Sequence, residues 1–177
     1  MSDITVLAVV GSLRSSSLNR ELAEVAVANA PAGVRVEIAE GIADVPFYNE
    51  DIDGEAAPAT AAALRDRIAA ADALLLLAPP NNGTVSAVLK NVIDWGSRPY
   101  GSSALSGKRV ALAGVGHRLD TTLADAERAV TIAGGEVPEG LVEEFPISGL
   151  DGKSVREHDA VAQRAGDLLE RLVAPVR

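Results

Sequence analysis

Residues 4–19 read ITVLAVVGSLRSSSLN and join an apolar run to a helical pattern through a polar loop. The apolar run, residues 4–10, predicts a strand of a parallel sheet that is buried on both faces. Leu18, Leu22 and Val25 then follow at the spacing of one helix face. A strand, a hydroxyl-rich loop and a helix start therefore meet here, and α/β proteins bind phosphate groups at such junctions.

The loop itself offers several groups that bind anions. Ser12, Arg14 and Asn19 supply a hydroxyl, a guanidinium and an amide, while Ser17 stands at the expected helix N-cap. The helix start adds unpaired N–H groups and the positive end of its dipole. Because the loop lacks the closely spaced glycines of a dinucleotide site, it predicts a phosphate monoester, as in a mononucleotide such as FMN. The alternative is that Ser17 only caps the helix and that Arg14 is a solvated charge.

Composition narrows the class of protein. A chain of 177 residues suits one domain spanning residues 1–177. Sixteen basic against 25 acidic residues give a net charge of −9, which argues against nucleic acid or an anionic membrane as a partner. There is no cysteine, no cationic start typical of a signal peptide, and no apolar run of the roughly 20 residues that span a bilayer. We therefore expect a cytoplasmic protein.

Acidic side chains concentrate between residues 40 and 55, where no lysine or arginine occurs. Carboxylates can bind a metal, but this segment also contains proline, glycine and asparagine, which favour turns. We interpret the segment as a solvated loop. With only two histidines and no cysteine in the chain, we expect no metal site.

The rest of the chain alternates strand and helix patterns. Such alternation, with right-handed crossovers, predicts an α/β fold: a flavodoxin-like, doubly wound, five-stranded parallel sheet of order 2-1-3-4-5 with helices on both faces. Ligands then bind beyond the carboxyl ends of the strands, where loops 11–17, 79–84 and 114–120 meet. The later predicted strands are residues 34–38, 73–78, 109–113 and, more weakly, 137–142. Four further helices are predicted: one after Pro58, one over residues 84–98, one over residues 123–133, and one that begins at the capping box Ser154–Glu157.

Two loops at this edge carry motifs of a known family. Residues 11–20, GSLRSSSLNR, and residues 82–98, NGTVSAVLKNVIDWGSR, closely resemble the NADPH-dependent FMN reductases, a family that includes quinone, chromate and azo-dye reductases. The similarity extends to residues 42–48, IADVPFY. The resemblance implies an FMN flavoprotein that oxidises NADPH or NADH and reduces free flavin, a quinone or another small acceptor. It also implies a homodimer or homotetramer, for which Trp95 is an interface candidate, with core packing as the alternative.

The resemblance also implies which residues hold the cofactor. Ser12, Arg14, Ser17 and Asn19 match the family's phosphate-binding positions. No catalytic acid or base is implied, because the flavin N5 accepts the hydride. His117 is the one candidate for a side-chain hydrogen bond to flavin or substrate, and a solvated loop histidine is the alternative. The flavin ring edge is expected to contact the loops after strands 3 and 4, mostly through their backbone: Pro79, Pro80, Asn81, Asn82, Gly83, Thr84, Gly114, Val115, Gly116 and His117.

The sequence departs from the family pattern at the ring end. Residues 79–83 read PPNNG where family members commonly have PEYNG, and residues 113–119 lack the usual Gly-Gly pair. Pro80 also has no N–H to donate. These departures keep two alternatives to the reductase open. One is an FMN-binding electron carrier or flavin-holding protein that another protein reduces, and the other is a relative that has lost the flavin.

Overall fold

Five parallel strands form one sheet in the order β2-β1-β3-β4-β5. The structure, a computed structural model, describes residues 4–174 apart from the side chain of Ala56. The predicted order 2-1-3-4-5 is confirmed. The strands are β1 (Ile4–Val10), β2 (Val34–Ile38), β3 (Ala73–Leu77), β4 (Arg109–Gly116) and β5 (Val142–Pro146), and the α-helices are α1 (Leu18–Ala28), α2 (Ala59–Ala70), α3 (Ala87–Gly96), α4 (Leu119–Ile132) and α5 (Asp159–Val173).

The helices cover both faces of the sheet, as predicted. Alternate side chains of the central strands point to opposite faces, so Val6 and Ala8 join α1 and α5 in one core, while Leu7 and Val9 join α2, α3 and α4 in the other. Strand β3 is buried at every residue. None of the helices within residues 4–174 has both the length and the apolar character needed to cross a bilayer.

The strand register aligns the sheet edge that carries the loops. Val10 at the end of β1 pairs with Leu77 at the end of β3, and Leu77 pairs with Ala113 of β4. Strand β4 then continues for three residues to Gly116, beyond the predicted end at residue 113. Residues 114–116, predicted as loop, are therefore strand.

The predicted position of the fifth strand is wrong. Residues 137–142 were expected to pair, but β5 occupies Val142–Pro146. Pro138 cannot donate to a ladder, and the chain turns between it and Leu141, whose N–H donates to the Pro138 carbonyl at 3.1 Å. Glu143 of β5 forms ion pairs with Arg164 and Arg171 of α5.

Three helix starts also differ from prediction, and the first is that of α4, which begins at Leu119 rather than at residue 123. Helix α3 begins at Ala87 rather than near residue 84, because the side chain of Ser86 caps it by accepting from the N–H of Leu89 at 3.2 Å. The capping box of Ser154 and Glu157 is present, but it opens a short 3-10 turn, and α5 starts only at Asp159.

The acidic segment between β2 and α2 is partly ordered by cations from elsewhere. Its 3-10 turns are Ile42–Asp44, Glu50–Ile52 and Gly54–Ala56. Asp53 accepts a hydrogen bond from Arg65 at 2.6 Å, and Glu40 accepts one from Arg20 at 2.7 Å. No group of three or more metal-ligating side chains forms within the described part of the chain.

Candidate functional site

A cavity of about 890 Å³ lies beyond the carboxyl ends of β1, β3 and β4. This volume falls within the roughly 300–1,000 Å³ of small-molecule sites. The residues that line it come from four loops, two helix starts and the end of β4: Gly11, Ser12, Leu13, Arg14, Ser17, Leu18, Asn19, Pro79, Pro80, Asn81, Asn82, Gly83, Val88, Val115, Gly116, His117, Arg118 and Ile147.

The loop after β1 has the local geometry of a phosphate cradle. Ser17 is the N-cap of α1, and its hydroxyl accepts from the N–H of Arg20 at 3.3 Å. That hydroxyl still carries a hydrogen that can be donated into the cavity. Ser12 accepts from the N–H of Arg14 at 3.4 Å, and the guanidinium of Arg14 is exposed.

Helix α3 is tied to this loop by a close approach at Gly11. The buried hydroxyl of Ser86 donates to the Gly11 carbonyl at 2.7 Å. A Cβ on Gly11 would lie 2.9 Å from atoms of Leu89, Pro79 and Ser86, so only glycine fits without displacing them. The start of the cradle is therefore packed directly against the loop after β3.

Asn19 joins the cradle to β4. Its amide nitrogen donates to the Val115 carbonyl at 3.1 Å, and its amide oxygen accepts from the Val115 N–H at 3.0 Å. Both residues are buried, with Asn19 only 3% exposed. One amide hydrogen of Asn19 is left for the cavity, so its predicted role toward a phosphate stays a prediction.

The loop after β3 is held in shape by contacts with α4. Asn82 and Gly83 have positive φ angles of 54° and 76°. The Thr84 hydroxyl donates to Asp125 at 2.6 Å, and the Thr121 hydroxyl donates to the Gly83 carbonyl at 2.8 Å. The backbone groups at the tip of this loop are therefore fixed in orientation.

Glycines in β4 allow this loop to approach the strand. A Cβ on Gly114 would lie 2.6 Å from the Ala78 carbonyl oxygen. A Cβ on Gly116 would lie 2.7 Å from Cδ of Pro80 and closer still to its Cγ. Pro80, which lines the cavity, thus packs over Gly116.

The loop after β4 places two basic side chains at the opening of the cavity. His117 and Arg118 are both exposed, and neither side chain has a hydrogen-bond or ion-pair partner among residues 4–174. Arg118 is the N-cap of α4 and has a φ of +54°, a conformation that non-glycine residues seldom adopt. Its carbonyl accepts from the hydroxyls of Thr121 and Thr122.

The cavity is electropositive in an acidic chain. Its lining contains Arg14, His117 and Arg118 and no carboxylate, although the chain carries a net charge of −9. Every other arginine within residues 4–174 bonds to a carboxylate, a carbonyl or a phenol, so Arg14 and Arg118 are the two described arginines with free guanidinium groups. Both are available to an anionic ligand.

The acidic residues next to the cradle are engaged elsewhere. Hydrogen bonding from Arg156 lowers the pKa of Glu24, and hydrogen bonding from Arg20 lowers the pKa of Glu40. The same contact with Glu40 raises the pKa of Arg20. Both carboxylates are therefore ionised and paired with arginines other than Arg14.

Most of the sequence-predicted positions come together here. Of those positions, Thr84 and Gly114 do not line the cavity but support the loop from behind. The sequence pattern assigned no role to Arg118, which directly follows His117. Ile147 was also missed, because the fifth strand was predicted at residues 137–142 and the residue after the true strand was therefore not considered. Trp95 is fully buried and donates to the Pro46 carbonyl at 2.7 Å, so it is a core residue and not an interface anchor.

The arrangement fits a flat ligand with a phosphate at one end. Neighbouring strands lie about 4.8 Å apart, so β1 and β4 are separated by about 10 Å across the sheet. The cradle after β1 supplies cationic and hydroxyl donors, and the loop after β3 supplies fixed backbone groups. Apolar surface comes from Pro80 in that loop, Val115 at the end of β4 and Ile147 after β5. FMN has this division between a charged phosphate and a largely apolar ring.

Comparison with known proteins agrees with this geometry. A quinone reductase of Pseudomonas putida is 49% identical over 111 residues, which are 63% of this chain and 59% of that protein. An NAD(P)H-dependent FMN reductase of Pseudomonas aeruginosa is 43% identical over 112 residues, 63% of this chain and 60% of that protein. The matched part thus spans about three fifths of these curated relatives.

A solved structure extends the likeness to nearly the whole chain. The flavoenzyme NAD(P)H:acceptor oxidoreductase of Paracoccus denitrificans superposes with a TM-score of 0.71 at 28% identity, covering 97% of this chain and 94% of that one. The model of one protein family matches residues 4–137, which include β1 to β4 and every loop of the cavity except the one after β5. The chain belongs to the NADPH-dependent FMN reductase family.

Proposed function

We propose that this protein is an FMN-dependent NAD(P)H oxidoreductase that reduces a quinone, free flavin or another small acceptor. The observation that carries the proposal is the cavity after β1, β3 and β4, which is lined by unpartnered basic side chains and by no carboxylate. Its relatives support the same class, since they include quinone reductases and an NAD(P)H-dependent FMN reductase.

At the phosphate end, we assign the cofactor's phosphate to Arg14, Ser12 and Ser17, with Asn19 as a further donor. Arg14 supplies charge, and the hydroxyls and the first N–H groups of α1 supply directional hydrogen bonds. Because Ser17 is buried and fixed by its cap bond, it restricts where the phosphate can lie.

At the ring end, the backbone of residues 79–83 and 116–117 orients the flavin, and Val115 contributes apolar contact. The bonds from Thr84 to Asp125 and from Thr121 to Gly83 hold the first of these loops before the ligand arrives, which reduces the entropy lost on binding. Pro80 and Val115 exclude water from the inner edge of the ring. When bound, FMN supplies the hydride-accepting chemistry itself, so the protein contributes placement and electrostatics. We assign His117 a hydrogen bond to a flavin or substrate oxygen.

We also propose a homodimer or homotetramer, a single domain and a cytoplasmic location. A groove of about 700 Å³ between α3 and α4 is bordered by Tyr100 and Ile132, which are 90% and 79% exposed. Exposed large apolar side chains beside a groove are typical of interfaces between subunits. Sedimentation equilibrium of the purified protein measures the assembly directly.

The test of the function is a visible spectrum recorded with FMN, before and after NADPH or NADH is added under anaerobic conditions. A bound flavin spectrum that bleaches promptly supports the reductase. Flavin that binds but is not reduced by either nucleotide would instead indicate an electron carrier, and a protein that binds no FMN would refute both.

The cradle has its own test in Arg14→Ala. Loss of a charge-assisted hydrogen bond should weaken FMN by about tenfold, while riboflavin, which has no phosphate, should bind as before. Equal losses for the two ligands, measured by quenching of flavin fluorescence, would contradict the phosphate assignment.

A further inference from the structure

Arg118 is a cation that the proposed phosphate site does not include. It lines the cavity, its guanidinium is exposed, and no group among residues 4–174 pairs with it. It follows β4, whereas the phosphate cradle follows β1, two strands and about 10 Å away. Within the cavity Arg118 therefore stands on the β4 side and Arg14 on the β1 side.

The backbone keeps Arg118 at the cavity edge. The residue stands at the turn from β4 into α4, and its carbonyl accepts from Thr121 at 3.4 Å and from Thr122 at 3.2 Å. Thr122 is fully buried, so the turn is anchored in the core. His117, the neighbouring residue, also lines the cavity, and the N–H of its imidazole ring is a second donor beside the guanidinium of Arg118.

The donor set at this end suits a planar anion better than a phosphate. Residues 113–119 include no serine or threonine, in contrast to the four hydroxyl residues of the loop after β1. The guanidinium is a flat fork that pairs with two oxygens of a carboxylate, of a phosphate, or of an ionised hydroxyl beside a carbonyl, so the missing hydroxyl donors are what distinguish this end from the phosphate cradle.

We propose that Arg118, with His117 beside it, is a specificity residue that selects electron acceptors carrying an ionised oxygen, such as quinones with an acidic hydroxyl or a carboxylate. This inference rests on the proposed reductase function and adds the substrate class. A neutral quinone enters the same cavity but gains nothing from the guanidinium. A phosphate of the nicotinamide nucleotide is the other anion that can reach this edge, and the experiment separates it from the acceptor.

The test compares two naphthoquinones with the FMN-loaded protein. 2-Hydroxy-1,4-naphthoquinone is ionised at neutral pH, and 2-methyl-1,4-naphthoquinone is neutral. Arg118→Asn removes the charge and keeps a residue that tolerates positive φ, and Arg118→Lys keeps the charge. Arg35→Gln is the matched control, because it removes the same charge from an exposed residue on β2, near the opposite edge of the sheet.

Binding is measured first, from the flavin absorbance of oxidised protein titrated with each quinone in the absence of nucleotide. Arg118→Asn should weaken the hydroxyquinone about fivefold and leave the neutral quinone unchanged, because an ion pair at an exposed site is worth up to about 1 kcal/mol. Arg118→Lys should retain most of the affinity, and Arg35→Gln all of it. High salt should reduce the difference. Values of kcat/KM for the two quinones should follow the same pattern.

Three outcomes would overturn the inference. Unchanged affinities of Arg118→Asn for both quinones would show that Arg118 does not contribute to acceptor binding. Equal losses for both quinones would place Arg118 on the flavin rather than on the acceptor. A raised KM for NADPH relative to NADH, with the quinone ratio unchanged, would assign the cation to the nucleotide phosphate. Failure of the proposed function is read separately, because it appears as wild-type protein that binds FMN and is not bleached by either nucleotide, whereas the titration needs no nucleotide.

Discussion

Replacing Gly116 by alanine tests how the ring end of the cavity is built. The new Cβ would lie 2.7 Å from Cδ of Pro80 and nearer to its Cγ, whereas ordinary van der Waals contacts begin at 3.4 Å. The proline ring must therefore retreat by about 1 Å, and it carries the loop after β3 with it. Overpacking of this kind costs about 1–3 kcal/mol of unfolding free energy. The φ angle of Gly116 is not positive, so the cost comes from the contact and not from the backbone.

The assay is a double-mutant cycle, read by urea unfolding and by the dissociation constants of FMN and riboflavin. Gly116→Ala should weaken both flavins by the same factor, about tenfold, because they share the ring that the displaced loop contacts. Pro80→Ala removes the two clashing atoms, so the double variant should regain most of the lost stability.

Two results would refute this account of the packing. One is that Gly116→Ala unfolds with the same free energy as wild type, and the other is that the Gly116→Ala/Pro80→Ala double variant is no more stable than Gly116→Ala. Gly114→Ala is the control. Its Cβ would lie 2.6 Å from a backbone oxygen, that of Ala78, which no side-chain substitution can remove. Pro80→Ala should therefore give no rescue in the Gly114→Ala background.

Two further predictions concern stability. Asn19→Ala leaves the buried N–H and carbonyl of Val115 without partners and should lower the unfolding free energy, measured in urea, by about 2–4 kcal/mol. The control is Asn29→Ala at the exposed end of α1, which should lower the unfolding free energy much less. Equal losses for the two variants would contradict the buried hydrogen bonds between Asn19 and Val115. Burial alone would raise the pKa of Asp53, but hydrogen bonds from Arg65 and other donors bring that pKa below its ordinary value. The ionised Asp53 therefore stabilises the fold fully above the pKa of an unfolded aspartate, about 3.9. This stabilisation is lost as the pH falls through the lowered pKa of the folded state. The difference in unfolding free energy between wild type and Arg65→Gln should accordingly become smaller below about pH 4. A difference that does not change with pH would show that the ion pair between Arg65 and Asp53 is not its source.

The sequence was sufficient for the parts of the fold that depend on local pattern. The run at residues 73–77 has no polar residue, and it is the strand buried at every position. The hydroxyl-rich loop before Leu18 contains the N-cap that the pattern predicted. These features follow from hydrophobic periodicity and from capping, which operate over a few neighbouring residues.

The parts that were missed depend on residues far apart in the chain. Strand β5 contains Glu143 and Glu144. It pairs with β4 and buries Phe145 in the core, and arginines of α5 pair with Glu143. A strand stabilised in this way has no apolar run to reveal it. Arg118 was overlooked for a related reason, since only the complete set of ion pairs shows that it has no partner among residues 4–174 while nearly all other arginines there do.

The two kinds of residue at this cavity divide its tasks. Buried hydrogen bonds from Asn19 to Val115 and from Ser86 to Gly11 connect the start of α1 to β4 and the start of α3 to the end of β1, so the cradle is joined to the inner wall of the cavity. Substitutions there change stability and cofactor geometry at the same time. Arg118, by contrast, is exposed and has no partner within the described chain, so its side chain can be replaced at little cost to the fold. Change in acceptor preference within such a scaffold is therefore expected at the exposed turn between β4 and α4, where a single charge alters which ligands bind and leaves the cofactor cradle intact.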